Sequence, residues 1–457
     1  MLFKEYLNKP CGIRFMFDSL NLMSSVARKM ILYSGISNNK KELENYYKTL
    51  EKIYNTLYNN PLPEVSSTLA SVKHKLLSFR DIDGTMQRLI NDVVLDDIDL
   101  FEIKYLSMLS NSLKKEIKVI GYDVVNIPDL DNVVDILDPD KLNIESFYIY
   151  NSYSKDLENV RKELKKHSSV DDLDGVSSER LLELLEKEKL LEAEIRGELS
   201  KKLKNYYNDI KKAIEELGKL DIILAKALQI KELQLSFPKI SYDNTTSYKG
   251  MFHPQIVDMY NRSNADSRVG NKIFTPIDIS FGLESIAIIG ANMGGKTVVL
   301  KMLALNQLLF QFGFGVAAKE AIIDIKDDIE ICIGDDQNIE QGLSSFAGEI
   351  KAIDRVLQRV ENGERVLALI DEPARTTNPV EGTALVTALI KMLIDRQSSV
   401  LITTHYNVVR EGFKRLRVNG LKDGVMDYRL KEALQSDVPC EALNIAKMLG
   451  VNKKWID

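Results

Sequence analysis

Five side chains in the second half of the chain carry types and spacings that could act together: Lys296 and Thr297, Asp371 and Glu372, and His405. Lys296 and Thr297 close the stretch Gly290-Ala-Asn-Met-Gly-Gly-Lys-Thr297, a G-x-x-x-x-G-K-T pattern. In such a loop Gly290, Asn292, Gly294 and Gly295 let backbone N–H groups curl round a phosphate, and a following helix N-terminus adds partial positive charge. Lys296 is expected to reach the β- and γ-phosphates of ATP, and Thr297 to place its hydroxyl on Mg²⁺. Asp371 and Glu372 end the apolar run Val366-Leu-Ala-Leu-Ile370. Asp371 is placed to hold the same Mg²⁺, and Glu372 to orient and deprotonate an attacking water. His405 ends a third apolar run, Val400-Leu-Ile-Thr-Thr404. There it could sense a γ-phosphate or polarise the water, because open parallel sheets bind ligands at the carboxyl ends of their strands. The predicted reaction is hydrolysis of ATP to ADP and phosphate.

These residues need a strand before each of them and a helix behind the glycine loop. Ser285-Ile-Ala-Ile-Ile289 reads as the first strand, and Val298 to Phe310 as the helix, with Val299, Met302, Leu303 and Leu309 at helical spacing. Between the glycine loop and Asp371 lies Gly342-Leu-Ser-Ser-Phe346, a serine-rich loop opening a helix, which can donate hydrogen bonds to phosphate. Thr376, Thr377 and Asn378 form a further polar loop after Glu372. Short apolar strands alternating with helices from about Tyr242 onward predict an α/β domain with a mostly parallel sheet.

The first half is different in texture. Helical periodicity covers Phe15 to Leu32, Tyr46 to Leu57, Leu69 to Val94 and Leu100 to Ile117, with no catalytic spacing; His74 and His167 read as surface residues. Phe147-Tyr-Ile-Tyr150 suggests a short strand, and Lys155 to Lys166 a basic helix. Asp171 to Ser178 reads as a polar loop. A long helix follows with one apolar stripe, Ile195, Leu199, Leu203, Tyr206, Ile210, Ile214 and Leu217, as in a lever or coiled-coil arm. The expected division is a helical core and lever domain over 1–241, an α/β domain over 242–430 and a helical element over 431–457.

Lys and Arg number 61 against 67 Asp and Glu, for a formal charge of −6, so a whole-protein basic field for nucleic acid is excluded. Cys11, Cys332 and Cys440 have no metal-site spacing and fit a reducing compartment. No signal pattern or long uncharged apolar run is present in the sequence, which predicts a cytoplasmic protein without a membrane span.

Several motifs in order resemble the MutS family, a branch of the ABC-type P-loop ATPases. They are the loop Gly290–Thr297, Gly342-Leu-Ser-Ser-Phe346 as its signature loop, Asp371-Glu-Pro-Ala-Arg-Thr-Thr377, and Thr404-His-Tyr406 as its histidine switch. His253-Pro254 is similar to the pair that opens the family's ATPase domain, and Asn444 to Gly450 to its C-terminal dimerisation helix. The resemblance implies a homodimer with composite sites, in which Ser344 reaches the γ-phosphate bound by the other subunit and Asn378 lies near that junction. It also implies a DNA-associated clamp activity of mismatch-repair or recombination type. Ala291, Pro373 and Asn378-Pro379 depart from the family pattern, and no stretch corresponds to its mismatch-reading domain, so mismatch preference is not expected. Asp371 to Pro379 also resembles a MutS-like subgroup linked to reactivation of a cobalamin-dependent lysine aminomutase, which implies a protein client as the alternative to DNA.

Overall fold

In a computed structural model of the chain, described residues are 1–59, 61–120, 125–167, 175–265, 273–290, 295–333, 345–375, 377–394, 396–406, 413–422 and 425–433. The expected C-terminal dimerisation element lies almost wholly outside them, and Asn444 to Gly450 entirely so. A helical N-terminal region precedes an α/β region, as the patterning predicts. Among the described residues, no helix is long and apolar enough to cross a membrane.

The strands, in chain order, are β1 (Lys239–Ile240), β2 (Thr246–Met251), β3 (Ile277–Phe281), β4 (Ser285–Ile289), β5 (Glu320–Ile323), β6 (Asp328–Cys332), β7 (Val366–Ile370), β8 (Ser399–Thr404), β9 (Lys414–Lys422) and β10 (Val425–Glu432). They form a four-stranded sheet of order β1-β5-β2-β3 and a six-stranded sheet of order β10-β9-β4-β8-β7-β6. In the larger sheet β9, β4, β8, β7 and β6 run parallel, and only the edge strand β10 is antiparallel. Every residue of β4, β7 and β8 is buried. That explains their unbroken apolar runs, because a parallel strand covered on both faces has no polar side to alternate.

The chain divides into two compact units, and none of the four borders falls where the sequence texture changes. One unit joins Met1–Asn21, Leu32–Lys52 and Lys226–Asp457; the other joins Leu22–Ile31 and Ile53–Ala225. The expected border near Tyr242 is therefore corrected. The sheets begin at Lys239, and two N-terminal segments belong to the sheet unit. The physical reason is aromatic packing at the carboxyl end of the helix Lys296–Gln311. Phe3 lies 4.9 Å from Phe312 and stacks on Phe314 at 5.7 Å, and the Tyr47 hydroxyl lies 2.7 Å from the Phe310 carbonyl. Lys226 is buried there and donates to the Phe312 carbonyl at 2.7 Å, with its ammonium 4.3 Å from the Phe314 ring centroid. Burial lowers its pKa to about 7.

In the helical unit the expected single long helix is two, Gly175–Lys204 and Tyr207–Glu232, the second ending in the sheet unit. Ile195, Leu199, Leu203, Ile210 and Leu217 of its stripe are buried, so this face is core in this chain rather than an exposed arm. The expected strand at Phe147–Tyr150 does not form. Tyr150 turns inward, donates its hydroxyl to Asp138 at 2.9 Å and receives Lys104 at 2.9 Å, and a 3₁₀ turn follows over Asn151–Tyr153. Part of the expected polar loop, Asp171–Asp174, lies outside the described residues, and from Gly175 the chain is already helical. His74 is exposed, as expected.

Candidate active site at the carboxyl end of the six-stranded sheet

β8 lies between β4 and β7, so the strands that carry Gly290, Asp371 and His405 end side by side. Register sets the heights: Ile289 pairs with Thr404, and Ile370 with Ile402. Residues scattered over more than a hundred positions of sequence thus meet at one sheet edge, where the strand ends leave room above the core.

The turn into the helix Lys296–Gln311 depends on Gly295, its N-cap, at φ 87°. A side chain there would be strained, since L-residues with a Cβ rarely adopt this region. Lys296 follows and is buried; its Nζ donates to the Gly290 carbonyl at 2.8 Å and lies 3.1 Å from Glu372 Oε1. Thr297 points its hydroxyl at the Asp371 carboxylate, at 2.9 and 3.2 Å from its two oxygens. The expected Lys–Thr and Asp–Glu pairs are therefore in direct contact. Asn292, Gly294 and Ser344 lie outside the described residues.

Thr403, Glu349 and Gly382, which belong to none of the quoted motifs, support this arrangement together with Tyr406. The Thr403 hydroxyl donates to Asp371 Oδ1 at 2.6 Å and accepts from the Glu372 N–H at 2.8 Å, so one side chain orients both acids. Glu372 sits at φ 44° and Ala374 at φ 60°, left-handed values that cost of order 1–3 kcal/mol apiece for a residue with a side chain. Two bonds hold this turn. Glu349 accepts from the Ala374 N–H at 2.6 Å, and the Tyr406 hydroxyl donates to the Ala374 carbonyl at 2.8 Å. Burial, with the nearby carboxylates of Glu349 and Glu372, raises the Tyr406 pKa and keeps its hydroxyl a donor. Gly382 is what lets Tyr406 in, since a Cβ at that position would collide with the hydroxyl. A threonine inside an apolar strand and a tyrosine three residues later were the signals in the sequence.

His405 is half-buried beside Tyr406, with ring centroids 4.2 Å apart, and its buried Nδ1 has no hydrogen-bond partner among the described residues. An unsatisfied buried ring nitrogen at a strand end is a group available to a ligand. Asn378 is exposed and caps the helix Pro379–Leu393, its side chain accepting from the Val380 N–H at 2.9 Å. That cap role is the one this structure assigns to it. His253, of the His-Pro pair, is buried with its Nδ1 unpartnered, and burial depresses its pKa to about 4.

Among the described residues no group of three or more His, Cys, Asp or Glu could hold a metal by itself. Thr297 and Asp371 instead offer a hydroxyl and a carboxylate, hard oxygen donors. That suits an ion such as Mg²⁺, which keeps several waters and takes few protein ligands.

Residues 286–431, which span all of these strand ends, match the family profile of MutS domain V. Over that segment the chain is similar to the MutS family. Its curated relatives include "Endonuclease MutS2" of Levilactobacillus brevis, 38% identical over 218 residues, covering 47% of this chain and 26% of that protein. The protein of the same name from Leuconostoc mesenteroides is 33% identical over 291 residues, 61% of this chain and 34% of the relative. A third, from Caldicellulosiruptor saccharolyticus, is 35% identical over 234 residues, 50% and 28%. The chain thus matches only about a quarter to a third of the length of these relatives.

The basic helix expected at Lys155–Lys166 is the other candidate interface, and its arginine is not available to phosphates. Arg161 bridges Glu188 and Glu192, both at 2.7 Å, and its remaining nitrogen donates to the Ile149 carbonyl and Asn151. Lys162 pairs with Glu158 at 2.6 Å one turn away.

Proposed function

We propose that this chain binds and hydrolyses ATP with Mg²⁺, through a P-loop site built on β4, β7 and β8. The observation that carries the reading is the Thr297–Asp371 contact at 2.9 Å beside the Lys296–Glu372 pair at 3.1 Å. A hydroxyl and a carboxylate meet where Mg²⁺ would sit, and the lysine lies where polyphosphate would enter. Gly290, Asn292, Gly294 and Gly295 wrap the phosphates, Lys296 binds the β- and γ-phosphates, and Thr297 and Asp371 hold the metal. Incoming polyphosphate competes with Glu372 for Lys296. Once the lysine turns to phosphate, Glu372 is released to orient and deprotonate water, while Thr403 keeps Asp371 aligned. His405 Nδ1 supplies a hydrogen-bonding group at the γ-phosphate end. When bound, Mg²⁺ offsets the charge developing on the phosphate oxygens.

In this reading the chain works as a homodimer in which Ser344, with Asn378 close by, completes the partner's ATP site. ATP closes the dimer and hydrolysis opens it. The test mixes Lys296→Ala and Ser344→Arg subunits, each expected to be inactive alone. A two-fold dimer pairs each glycine loop with the partner's serine loop, so mixed dimers regain one intact site in two. Hydrolysis by the mixture supports composite sites; a mixture as inactive as its parents contradicts them.

The client is read in two ways. The name of the relatives favours DNA, and with it a clamp activity without mismatch preference. The tying of Arg161 to two carboxylates favours a protein client instead, and ATP-driven remodelling of an enzyme, such as a cobalamin-dependent aminomutase, is the form that the Asp371–Pro379 resemblance implies. We place the protein at the site of ATP use in the cytoplasm in both readings.

A further inference from the structure

The turn that carries Glu372 is gripped from two sides at a single residue. The Ala374 carbonyl accepts from the Tyr406 hydroxyl at 2.8 Å, and the Ala374 N–H donates to Glu349 at 2.6 Å. Both bonds act on left-handed backbone, φ 44° at Glu372 and φ 60° at Ala374, which holds its shape only where its surroundings fix it.

The two grips stand on different footings. Tyr406 follows β8, whose residues are all buried, and is itself buried with its hydroxyl close over Gly382. Glu349 stands on the helix Ser345–Glu361, which packs unevenly along its length. Ile353, Val356 and Val360 are buried in one core cluster with residues of β7 and β8, whereas none of residues 346–351 is buried. At the far end Arg359 pairs with Asp328 and, at 3.3 Å, with Glu330. A helix anchored at one end and lightly packed at the other moves most at the light end. Glu349 is on that end, one turn after the helix start, and the stretch Gly342-Leu-Ser-Ser-Phe346 runs into it.

We propose, on the composite-site reading given above, that Glu349 is a positioning residue through which the nucleotide held by the partner controls Glu372. Engagement of the serine loop with the partner's γ-phosphate shifts the near end of this helix toward the position in which Glu349 holds the Ala374 N–H. Glu372 is then aligned with water. With the loop unengaged, the helix end spends more time where that bond is broken, and the turn keeps only the fixed Tyr406 grip. Each subunit thereby hydrolyses ATP fastest when its partner also holds ATP.

The test uses mixtures of full-length subunits. In homodimers, Glu349→Gln and Tyr406→Phe are each expected to slow hydrolysis roughly fivefold with ATP affinity nearly unchanged. Lys296→Ala subunits mixed with Ser344→Arg subunits give dimers with one working site. Its Glu372 belongs to the Ser344→Arg subunit, whose own serine loop has no nucleotide to engage. Placed on that subunit, Glu349→Gln is expected to cost less than about twofold, while Tyr406→Phe still costs about fivefold and shows that the mixture can register such a loss. If Glu349→Gln costs as much in the mixture as in the homodimer, Glu349 is a fixed brace like Tyr406, and the proposal is overturned with the composite sites intact. A Glu349→Gln homodimer that hydrolyses at the wild-type rate, or that loses ATP affinity as well, overturns it too. A mixture without hydrolysis overturns the composite-site reading and the proposal together.

Discussion

At the carboxyl end of the six-stranded sheet, charged and hydroxyl side chains from three adjacent strands converge on one another. In the helical unit they pair off along helix faces. Lys296, Glu372, Asp371, Thr297 and Thr403 form one connected set with contacts of 2.6 to 3.2 Å. Arg161, Glu188, Glu192, Arg196 and Asp97 form an equally connected ladder, but it links neighbouring helices and leads into no strand-end cleft. The first set is held in place by strained backbone at Glu372 and Ala374; the described part of the ladder has no such strain. Strain alone does not mark a site, since Asn143, at φ 54° in the helical unit, donates to the buried Asp138; what sets the first set apart is strain together with its place at adjoining strand ends.

The largest expected effect breaks the first set at its cation. Lys296→Ala should abolish ATP binding in an equilibrium titration, because it removes the one cation reaching the phosphates from the glycine loop. Binding within a few-fold of wild type would show that the convergence on this strand end is structural. A smaller effect tests the strained turn. Tyr406→Phe and Glu349→Gln each delete or weaken one hydrogen bond to Ala374, a loss of about 1 kcal/mol, or roughly fivefold in rate. The expected signature is a lower kcat with nearly unchanged ATP affinity. Equal losses in kcat and affinity would mean that the two bonds support the fold in general.

The smallest expected signal comes from the ladder. Since Arg161 is already bonded to two carboxylates, duplex DNA should bind weakly, within or above the non-specific range of roughly 10⁻⁴–10⁻⁶ M at physiological salt, and without preference for a mismatch. Anisotropy titrations of matched and mismatched duplexes at two salt concentrations check this. Binding tighter than about 10⁻⁶ M, or a clear mismatch preference, would show that the helical unit reads DNA after all.

The strands and the helix behind the glycine loop were legible because buried parallel strands and their helices write long apolar runs, as at Ser285–Ile289 and Val366–Ile370. So were Lys296, Thr297, Asp371, Glu372 and His405, whose spacing from those runs fixes them at strand ends. The Thr403 and Glu349 contributions were not. A hydroxyl inside an apolar strand and a glutamate on an amphipathic helix are common, and only the three-dimensional register makes them partners. The unit borders were illegible for the same reason. Phe3 and Tyr47 fall within the expected helical domain over 1–241, and nothing local says that their partners are Phe312, Phe314 and Phe310, more than 200 residues away. The Phe147–Tyr150 stretch misled because its aromatic, β-branched pattern reflects a buried Tyr150 bonded to Asp138 and Lys104 instead of a strand.

The central claim is that Glu372 activates water for ATP hydrolysis while Lys296 and the glycine loop bind the nucleotide. Single-turnover hydrolysis of ATP by Glu372→Gln, run beside an equilibrium ATP titration of the same protein, tests it most directly. The account predicts ATP affinity equal to or greater than wild type, with turnover lower by about 10²–10⁴-fold. Undiminished hydrolysis in Glu372→Gln would contradict it.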